Sequence, residues 1–319
     1  MFAPAVYFLF LTTGFTFAIM QTTSAIAMMR PASFGFNRET AKDNYFQNKN
    51  LATKNIQEAA LAEFDQMVSQ LRSVGIQVLL LQDDDATVKP DAIFLNNWFC
   101  CMDETLFIFP MHAANRRIEK TQSHIDTLKA FTHIHTVQNW SNHEEAAVFL
   151  EGTGSMIIDH VNRIIYACLS QRTNKDLLYR FAKKNKYQVI AFTAKDKNGN
   201  AIYHTNVMMC LGPQFAVICL DAIADETEKK KVSESLAQTG HTCIAITQDQ
   251  VLQFAGNMLA LHNSQKEPFL VMSSTAYTAL NKSQLEKLEK QATILTAHVP
   301  HIEQAGGGSV RCMMAELFY

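Results

Sequence analysis

The stretch IQEAALAEFDQMVSQLRSVGIQVLLL, residues 56–81, sets the pattern on which the fold prediction rests. Its first part places apolar residues on one face of a helix, at Ile56, Ala60, Phe64, Met67, Val68 and Leu71. Gly75 then ends the helix, and 76–81 follows as a buried strand. The stretch therefore predicts one helix followed by one strand.

The same order of helix and strand recurs four more times along the chain. The further helices are predicted near 117–131, 175–184, 226–238 and 283–291, and their strands at 134–137, 187–192, 242–246 and 293–297. Other strand-like runs lie at 156–158, 164–168 and 207–211. This alternation predicts an α/β protein.

Clusters of polar residues stand at matching places in these units. Their central residues follow one another at intervals of 53 to 55 and are Asn97, Glu151, His204, Asn257 and Cys312. A nearly constant interval of one supersecondary unit indicates modules arranged around a common centre, where the five clusters would converge. The alternative is that the interval is a coincidence and the fold an ordinary doubly wound sheet.

Composition and charge exclude several classes of protein. Of the 319 residues, 48% are apolar and 18% are charged, which indicates a packed core rather than a disordered chain. The formal net charge of −2 gives no electrostatic footprint for nucleic acid or for anionic lipid. We therefore expect neither nucleic acid nor a membrane as a partner of residues 20–319.

The seven cysteines indicate a reducing compartment. Their number is odd and no C-x-x-C pair occurs, so we expect neither a disulfide framework nor structural zinc. His133 and His135 fall on one face of a predicted strand, but no third ligand is near them in the sequence. We predict a cytoplasmic protein that binds no metal.

The first nineteen residues are almost wholly apolar and carry no charge. They resemble the apolar part of a signal peptide or a marginal membrane span, yet no Lys or Arg precedes them. The preferred interpretation is a tail from an upstream start codon, with the working protein beginning at Met20. Secretion or membrane anchoring is the alternative. Residues 20–319 are expected to form one catalytic domain.

Cys312 is the strongest candidate for chemistry. It follows three consecutive glycines, Gly306 to Gly308, which permit unusual backbone angles and a close approach of backbone to ligand. The neighbouring Arg311 would favour the thiolate, which is the nucleophilic form of cysteine. The alternative is a buried, inert cysteine, which is the usual state of a free cysteine.

Two further residues could assist a nucleophilic cysteine. His204 stands at the start of an apolar strand and could move a proton near neutral pH. Glu151 follows an apolar run and precedes two glycines in Glu-Gly-Thr-Gly, which suits a buried acid. The alternatives are a hydrogen-bonded histidine at a strand end and a solvated acid in a turn. Phosphate-binding glycine motifs and G-x-S-x-G do not occur.

Several longer motifs, in this order, resemble the guanidino-group-modifying superfamily of arginine deiminases, dimethylarginine dimethylaminohydrolases and amidinotransferases. The resemblance is closest to an arginine-deiminase-related branch that includes citrulline utilisation hydrolases. It is carried by Met29-Arg-Pro-Ala-Ser-Phe-Gly-Phe-Asn37, Pro90-Asp-Ala-Ile-Phe-Leu-Asn-Asn-Trp98, Leu150-Glu-Gly-Thr-Gly-Ser155, Tyr203-His-Thr-Asn-Val-Met208, Phe254-Ala-Gly-Asn-Met258 and Gly306-Gly-Gly-Ser-Val-Arg-Cys-Met313.

The resemblance implies a five-bladed α/β propeller of ββαβ modules with an active site at its central axis. It implies Cys312 as the nucleophile, His204 as the general acid and base, and Glu151 as the acid that holds the nitrogen head group of the substrate. Arg172 would bind the carboxylate of an amino acid, and Arg117 would be a second such clamp. No cofactor is implied.

Two positions depart from the pattern of arginine deiminases. Carboxylates of those enzymes are replaced by Asn97 and Asn206. Two negative charges fewer in a dry pocket would weaken the binding of a cationic guanidinium, whereas a neutral ureido group can use the donor and acceptor of an amide. We therefore predict a cysteine hydrolase that cleaves the ureido C–N bond of citrulline.

Two alternatives to citrulline hydrolysis remain. One is a guanidine hydrolase or amidinotransferase acting on arginine or its derivatives, and the other is a binding module without catalysis. The expected partner is a small amino acid, and the sequence leaves homo-oligomerisation open.

Overall fold

The computed structural model describes residues 20–48, 55–84 and 86–319, so the apolar extension at 1–19 lies outside the described residues. The strands are β1 (Ala25–Arg30), β2 (Gln77–Gln82), β3 (Phe99–Met102), β4 (Thr105–Ile108), β5 (Thr136–Asn139), β6 (Ile157–Asp159), β7 (Ile164–Cys168), β8 (Gln188–Phe192), β9 (Met209–Leu211), β10 (Phe215–Ile218), β11 (Thr242–Ala245), β12 (Leu259–His262), β13 (Pro268–Ser273), β14 (Thr293–Ala297) and β15 (Ala315–Glu316). The helices are α1 (Ile56–Ser73), α2 (Gln122–Thr132), α3 (Gly152–Ser155), α4 (Lys175–Lys184), α5 (Glu226–Gln238), α6 (Gln248–Leu252), α7 (Ser274–Ala279), α8 (Lys282–Glu289) and α9 (Pro300–Gly306).

These strands form five sheets of three strands each, in the orders β15-β1-β2, β3-β4-β5, β6-β7-β8, β9-β10-β11 and β12-β13-β14. In each sheet the middle strand pairs antiparallel with one neighbour and parallel with the other. A helical crossover joins each parallel pair, as parallel pairing requires. The predicted five-module α/β propeller is confirmed, and the doubly wound alternative is wrong.

The first module is completed by the end of the chain. β15 pairs antiparallel with β1, with Ile26 opposite Glu316 and Ala27 opposite Ala315. Cys312, which precedes β15, therefore reaches the first module from the C-terminal part of the chain. The other two strands of that module, β1 and β2, come from the N-terminal part.

The helices cover the sheets through amphipathic faces. In α1 the buried face includes Phe64, Met67 and Leu71, as the apolar spacing predicts. In α4 the Phe181 ring packs against Phe107 and Phe109, with centroid distances of 5.2 and 5.3 Å. Phe107 belongs to β4, so this burial of aromatic surface joins α4 to the sheet of the preceding module. No helix of the described ranges is both long and apolar enough to cross a membrane.

The region around the second module differs from its predicted boundaries. The predicted helix at 117–131 is divided into a 3-10 turn, Ala114–Glu119, and α2, which is capped by the Thr121 side chain. His133 ends α2 in the left-handed conformation, with φ of 56°. His133 and His135 consequently precede β5 instead of sharing a strand face, and the expectation of one face is wrong.

The modules meet at short turns that precede the first strand of each hairpin. α3 packs against the 3-10 turns Leu95–Asn97 and Thr205–Val207, and Leu95–Asn97 packs against the 3-10 turn Val310–Met313. The polar residues that the sequence spaces evenly lie in or beside these turns, before β3, β6, β9, β12 and β15. Asn97, His204 and Cys312 line one cavity, and Glu151 and Asn257 contact His204 and Cys312 beside it.

Candidate active site

Cys312 lies in the turn Val310–Met313 and is almost fully buried. The glycines before it are required by packing: a Cβ on Gly306 or Gly308 would lie 2.6 or 2.8 Å from the ring of Phe94. Gly307 has φ of 63°, a left-handed conformation that glycine adopts without strain. The glycine run thus brings the backbone close to Phe94 and turns it toward the site.

The sulfur of Cys312 is contacted by two side-chain amides. Asn257 Nδ2 lies 3.2 Å and Asn206 Nδ2 lies 3.5 Å from Sγ. Arg311 was expected to favour the thiolate, but its guanidinium donates to Met314 O and Glu316 Oε2 at 2.8 and 3.0 Å. Its charge is therefore paired with a carboxylate, and neutral amide groups are the donors at the sulfur.

His204 and Glu151 form a buried pair. His204 Nε2 lies 2.8 Å from Glu151 Oε2, and the other carboxylate oxygen accepts the backbone N–H of His112 at 2.8 Å. The guanidinium of Arg172 approaches the same carboxylate, with Nη1 at 3.6 Å from Oε2. The carboxylate therefore orients the imidazole and is itself held from two sides.

The pKa values of this pair follow from burial and charge. Burial opposes the ionised form of Glu151, but the charge of Arg172 and the hydrogen bond with His204 outweigh it and hold the pKa of Glu151 well below its ordinary value. Burial lowers the pKa of His204, although its bond to Glu151 acts in the opposite direction. At neutral pH the pair is accordingly an ionised carboxylate and a neutral imidazole.

Gly154 allows the imidazole to lie close to Asn97. A Cβ at this position would lie 2.9 Å from His204 Nδ1 and 2.5 Å from Asn97 Nδ2. Asn97 itself accepts from Arg116 Nη1 at 2.6 Å and donates to Asn96 Oδ1 at 3.0 Å. Protein groups therefore occupy one N–H and one oxygen lone pair of this amide, and its second N–H is left for a ligand.

Arg116, and not Arg117, reaches the central cavity. Arg116 is buried and forms two bonds with Glu119, at 2.8 and 3.0 Å. Arg117 donates to Met111 O and His112 O and lies 4.0 Å from Glu144, and about a third of its side chain is exposed. Consecutive side chains of a 3-10 turn point in different directions, so only one of the two neighbours can face the axis.

Arg172 lines the cavity, as expected for a substrate clamp, but its fork is occupied. Its Nε donates to Asp43 Oδ2 at 2.8 Å, its Nη2 also contacts Asp43, and Thr40 O lies 3.3 Å from Nη2. The guanidinium carbon lies 4.7 Å from the centre of the Tyr203 ring. A substrate carboxylate would have to take the place of Asp43 to use both arms of the fork.

Asp91 is a cavity residue that the sequence reasoning did not single out. Its Oδ2 accepts from Asn37 Nδ2 and Thr40 Oγ1, whereas its Oδ1 is buried without a hydrogen-bond partner in the described part of the chain. Burial raises its pKa, and the charge of Arg116 opposes this rise. Asp91 stands in the motif Pro90 to Trp98, which carries part of the family resemblance and is the sequence signal that could have identified it.

The resulting cavity is a partly open depression whose empty space, including the part open to solvent, is about 260 Å³. It is lined by Asn44, Asp91, Phe94, Asn97, Arg116, Arg172, Tyr203, His204, Gly306, Gly307, Gly308 and Cys312. Glu151 and Asn206 join this set through their contacts with His204 and Cys312. Among residues 20–48, 55–84 and 86–319, no group of histidine, cysteine and acidic side chains is placed to hold a metal ion.

A family model described as N,N dimethylarginine dimethylhydrolase, eukaryotic, matches residues 30–319. The chain belongs to this family. The match spans about nine tenths of the sequence and includes Glu151, His204 and Cys312. Membership confirms the predicted guanidino-group-modifying superfamily. Among functionally curated proteins, none matches the chain.

Solved structures show the same fold at low sequence identity. The apo structure of ArgZ, an arginine dihydrolase from the ornithine–ammonia cycle in cyanobacteria, has a TM-score of 0.71 and 16% identity. The match covers 92% of this chain and 40% of ArgZ, so the present chain spans about two fifths of the length of ArgZ. The product-bound N-terminal domain of ArgZ has a TM-score of 0.68 at 16% identity and is covered to 97%, with 92% of this chain.

A third similar structure is an adduct of a dimethylarginine dimethylaminohydrolase variant with S-methyl-L-thiocitrulline. Its TM-score is 0.64 at 15% identity, with 93% of this chain and 100% of that chain covered. At this identity the likenesses establish the fold, and the five-module propeller agrees with all three structures.

Proposed function

We propose that the chain is a cysteine hydrolase that cleaves the ureido C–N bond of citrulline. The observation that carries the proposal is the neutral surrounding of the Cys312 sulfur, where Asn206 and Asn257 present amide groups. A cationic guanidinium bound at this place would need carboxylates beside it, whereas a ureido group needs only amide donors and acceptors.

The hydrogen-bond inventory of the site supports a neutral head group. The carboxylate of Glu151 is already engaged by His204 and Arg172. Asn206 Oδ1 is buried and has no hydrogen-bond partner within the described ranges. It is therefore available to accept an N–H of a ureido nitrogen, and with Asn97 and Glu151 it would position the head group.

The opposite end of the cavity suits an amino acid. The unpaired Oδ1 of Asp91 can accept from an α-ammonium group. Arg172 would bind the α-carboxylate in a bidentate manner once Asp43 has been displaced. Arg117 has no part in the proposal because its side chain lies outside the cavity.

The proposed reaction begins with transfer of the Cys312 proton to His204, whose Nε2 remains bonded to Glu151. The thiolate attacks the ureido carbon, and the C–N bond to ornithine breaks as His204 returns the proton to the departing amine. Water activated by His204 then hydrolyses the carbamoyl thioester and releases carbamate, which decomposes to ammonia and carbon dioxide. No organic cofactor enters these steps.

A second candidate is hydrolysis or amidino transfer on arginine or a methylated arginine. It is favoured by the family description and by the printed names of the similar structures, an arginine dihydrolase and a dimethylarginine dimethylaminohydrolase. Its difficulty is that both positions expected to carry a carboxylate, at 97 and 206, are asparagine.

A substrate panel tests the proposal. Purified protein is incubated separately with citrulline, arginine, methylated arginines and succinylarginine, and ornithine, citrulline and ammonia are measured. We expect ornithine and ammonia from citrulline and no turnover by Cys312→Ala. Turnover of a guanidine alone would support the second candidate, and full activity of Cys312→Ala would refute the cysteine mechanism.

A further inference from the structure

Asn257 is a buried residue to which the reaction proposed above assigns no step, yet its side chain contacts the reacting atom. Its Nδ2 lies 3.2 Å from Cys312 Sγ, closer than the Nδ2 of Asn206 at 3.5 Å. Its side chain is 1% exposed. A side-chain amide in this position is shielded from water and faces the sulfur directly.

The orientation of this amide is fixed by two further hydrogen bonds. Nδ2 also donates to Asn206 O at 3.0 Å, and Oδ1 accepts the backbone N–H of Arg311 at 3.1 Å. The two amide hydrogens are thus directed to the carbonyl and to the sulfur. Exchanging the nitrogen and oxygen of the amide would break both of the bonds to protein groups, so the network specifies which atom faces Cys312.

The backbone that carries Asn257 is equally constrained. A Cβ on the preceding Gly256 would lie 2.5 Å from Val207 O and 2.7 Å from Met208 C and Cα. Glycine lets this segment pack against the turn Thr205–Val207, which also supplies Asn206. The two amides are therefore held beside the same sulfur by contact between neighbouring modules.

We propose that Asn257 is a catalytic hydrogen-bond donor that, together with Asn206, stabilises the Cys312 thiolate and fixes the direction of its sulfur. Hydrogen bonds to a charged partner are stronger than those between neutral groups, so the amide contact favours the thiolate over the thiol. The Arg311 guanidinium is paired with Glu316, which leaves the stabilisation to the amides. The inference rests on the proposed function in taking Cys312 as the nucleophile.

The test substitutes the donor while keeping the acceptor. Asn257→Asp retains a carboxylate oxygen for the Arg311 N–H but has no hydrogen to donate to the sulfur. Thiolate formation is followed by ultraviolet absorbance against pH, as the difference between each protein and its own Cys312→Ser form, which removes the signals of the other six cysteines. We expect the midpoint of this titration to rise by at least about one pH unit.

The matched control is Asn281→Asp, because Asn281 caps α8 through its side-chain oxygen and an aspartate caps equally well. It introduces the same charge away from the cavity and should leave the midpoint unchanged. The carboxylate of Asn257→Asp opposes thiolate formation by its charge as well, so Asn257→Ser, whose hydroxyl is too short to reach the sulfur, is the decisive variant: it removes the donor without adding a charge, and its midpoint should also rise. Thermal unfolding identifies a variant that does not fold. A midpoint equal to that of the unsubstituted protein in a folded Asn257 variant would overturn the inference.

The titration needs no substrate, so it separates this inference from the proposed function. With the true substrate, Asn257→Asp should lower kcat at least about tenfold and leave KM within about threefold, because the amide contacts the sulfur and not the ligand. If no compound of the panel is turned over while the midpoint shifts as expected, the proposed substrate is wrong and the role of Asn257 stands. A tenfold loss of kcat/KM that comes from a higher KM alone would contradict the role of Asn257.

Discussion

Replacing Asn206 by aspartate should change the preference of the site from a neutral to a cationic head group. The Asn206 amide lies 3.5 Å from Cys312 Sγ, so any group attacked by the sulfur is within hydrogen-bonding reach of this side chain. Asn206→Asp places a carboxylate there in a nearly isosteric form. Arginine should gain an attractive charge contact, and citrulline should lose an amide contact.

The size of the effect follows from the distance. Two unit charges about 4 Å apart attract by about 4 kcal/mol at an effective dielectric constant of about 20. Burial of the new carboxylate opposes its ionisation and removes a part of this gain. A remainder of about 2 to 3 kcal/mol would change the ratio of kcat/KM for arginine to that for citrulline by about 10²-fold.

The assay is the ratio of kcat/KM for the two substrates, measured for the unsubstituted protein, Asn206→Asp and the control Asn281→Asp. A carboxylate beside the sulfur also opposes thiolate formation, so both activities should fall. The ratio removes this common loss and isolates the contact with the head group. A ratio that stays within about threefold in a folded Asn206→Asp protein would refute the charge reasoning from which citrulline was inferred.

Three further outcomes follow from buried charges. Glu151→Gln should lower kcat at least about 10²-fold, measured by product release, because His204 loses the ionised partner at 2.8 Å; an unchanged kcat would contradict the role of the pair. Asp43→Asn should lower KM several-fold in steady-state kinetics, because it weakens the group that occupies the Arg172 fork, whereas a higher KM would argue against Arg172 as the carboxylate clamp. Burial lowers the pKa of His160 from 6.5 to about 3, so its neutral form contributes stability above pH 6.5 that is lost as the pH falls. Urea unfolding should show about 2 kcal/mol of this loss between pH 7 and pH 5, and His160→Asn should lack it; equal losses in both proteins would refute the assignment.

Much of the fold could be predicted because each module repeats the same local pattern. The apolar face of α1 and the strand after it were visible as two different periodicities, and the even spacing of the polar clusters indicated their convergence. β15 could not be predicted in this way. It has two residues, Ala315–Glu316, and its pairing with β1 joins opposite ends of the chain, which leaves no local periodicity to detect.

Some residues of the site could likewise be predicted from the sequence, and others could not. Cys312, His204 and Glu151 stand in conspicuous motifs, and the structure brings them together. The choice between Arg116 and Arg117 depends on which way a 3-10 turn faces, and two adjacent arginines give no sequence signal for that. The pairing of Asp43 with Arg172 spans 129 residues and depends on how a loop after β1 crosses the cavity. The even spacing predicted that Asn257 would lie near the common centre, but it did not predict the contact with the Cys312 sulfur.

The place at which the chain enters each module explains why one sequence pattern indicated both the fold and the site. The five evenly spaced residues each stand shortly before the first strand of a hairpin, at the place where the chain returns to the axis. Every module therefore contributes one polar position to the centre, while its strands and helix form the surrounding core. The order found here is Asn97, Glu151, His204, Asn257 and Cys312, in which two of the five positions are amides and one carries the nucleophile. Because these positions precede the strands, a change from amide to carboxylate alters the charge at the axis without altering the apolar pattern that forms the modules. Substrate preference in such a fold can thus change by single axial substitutions.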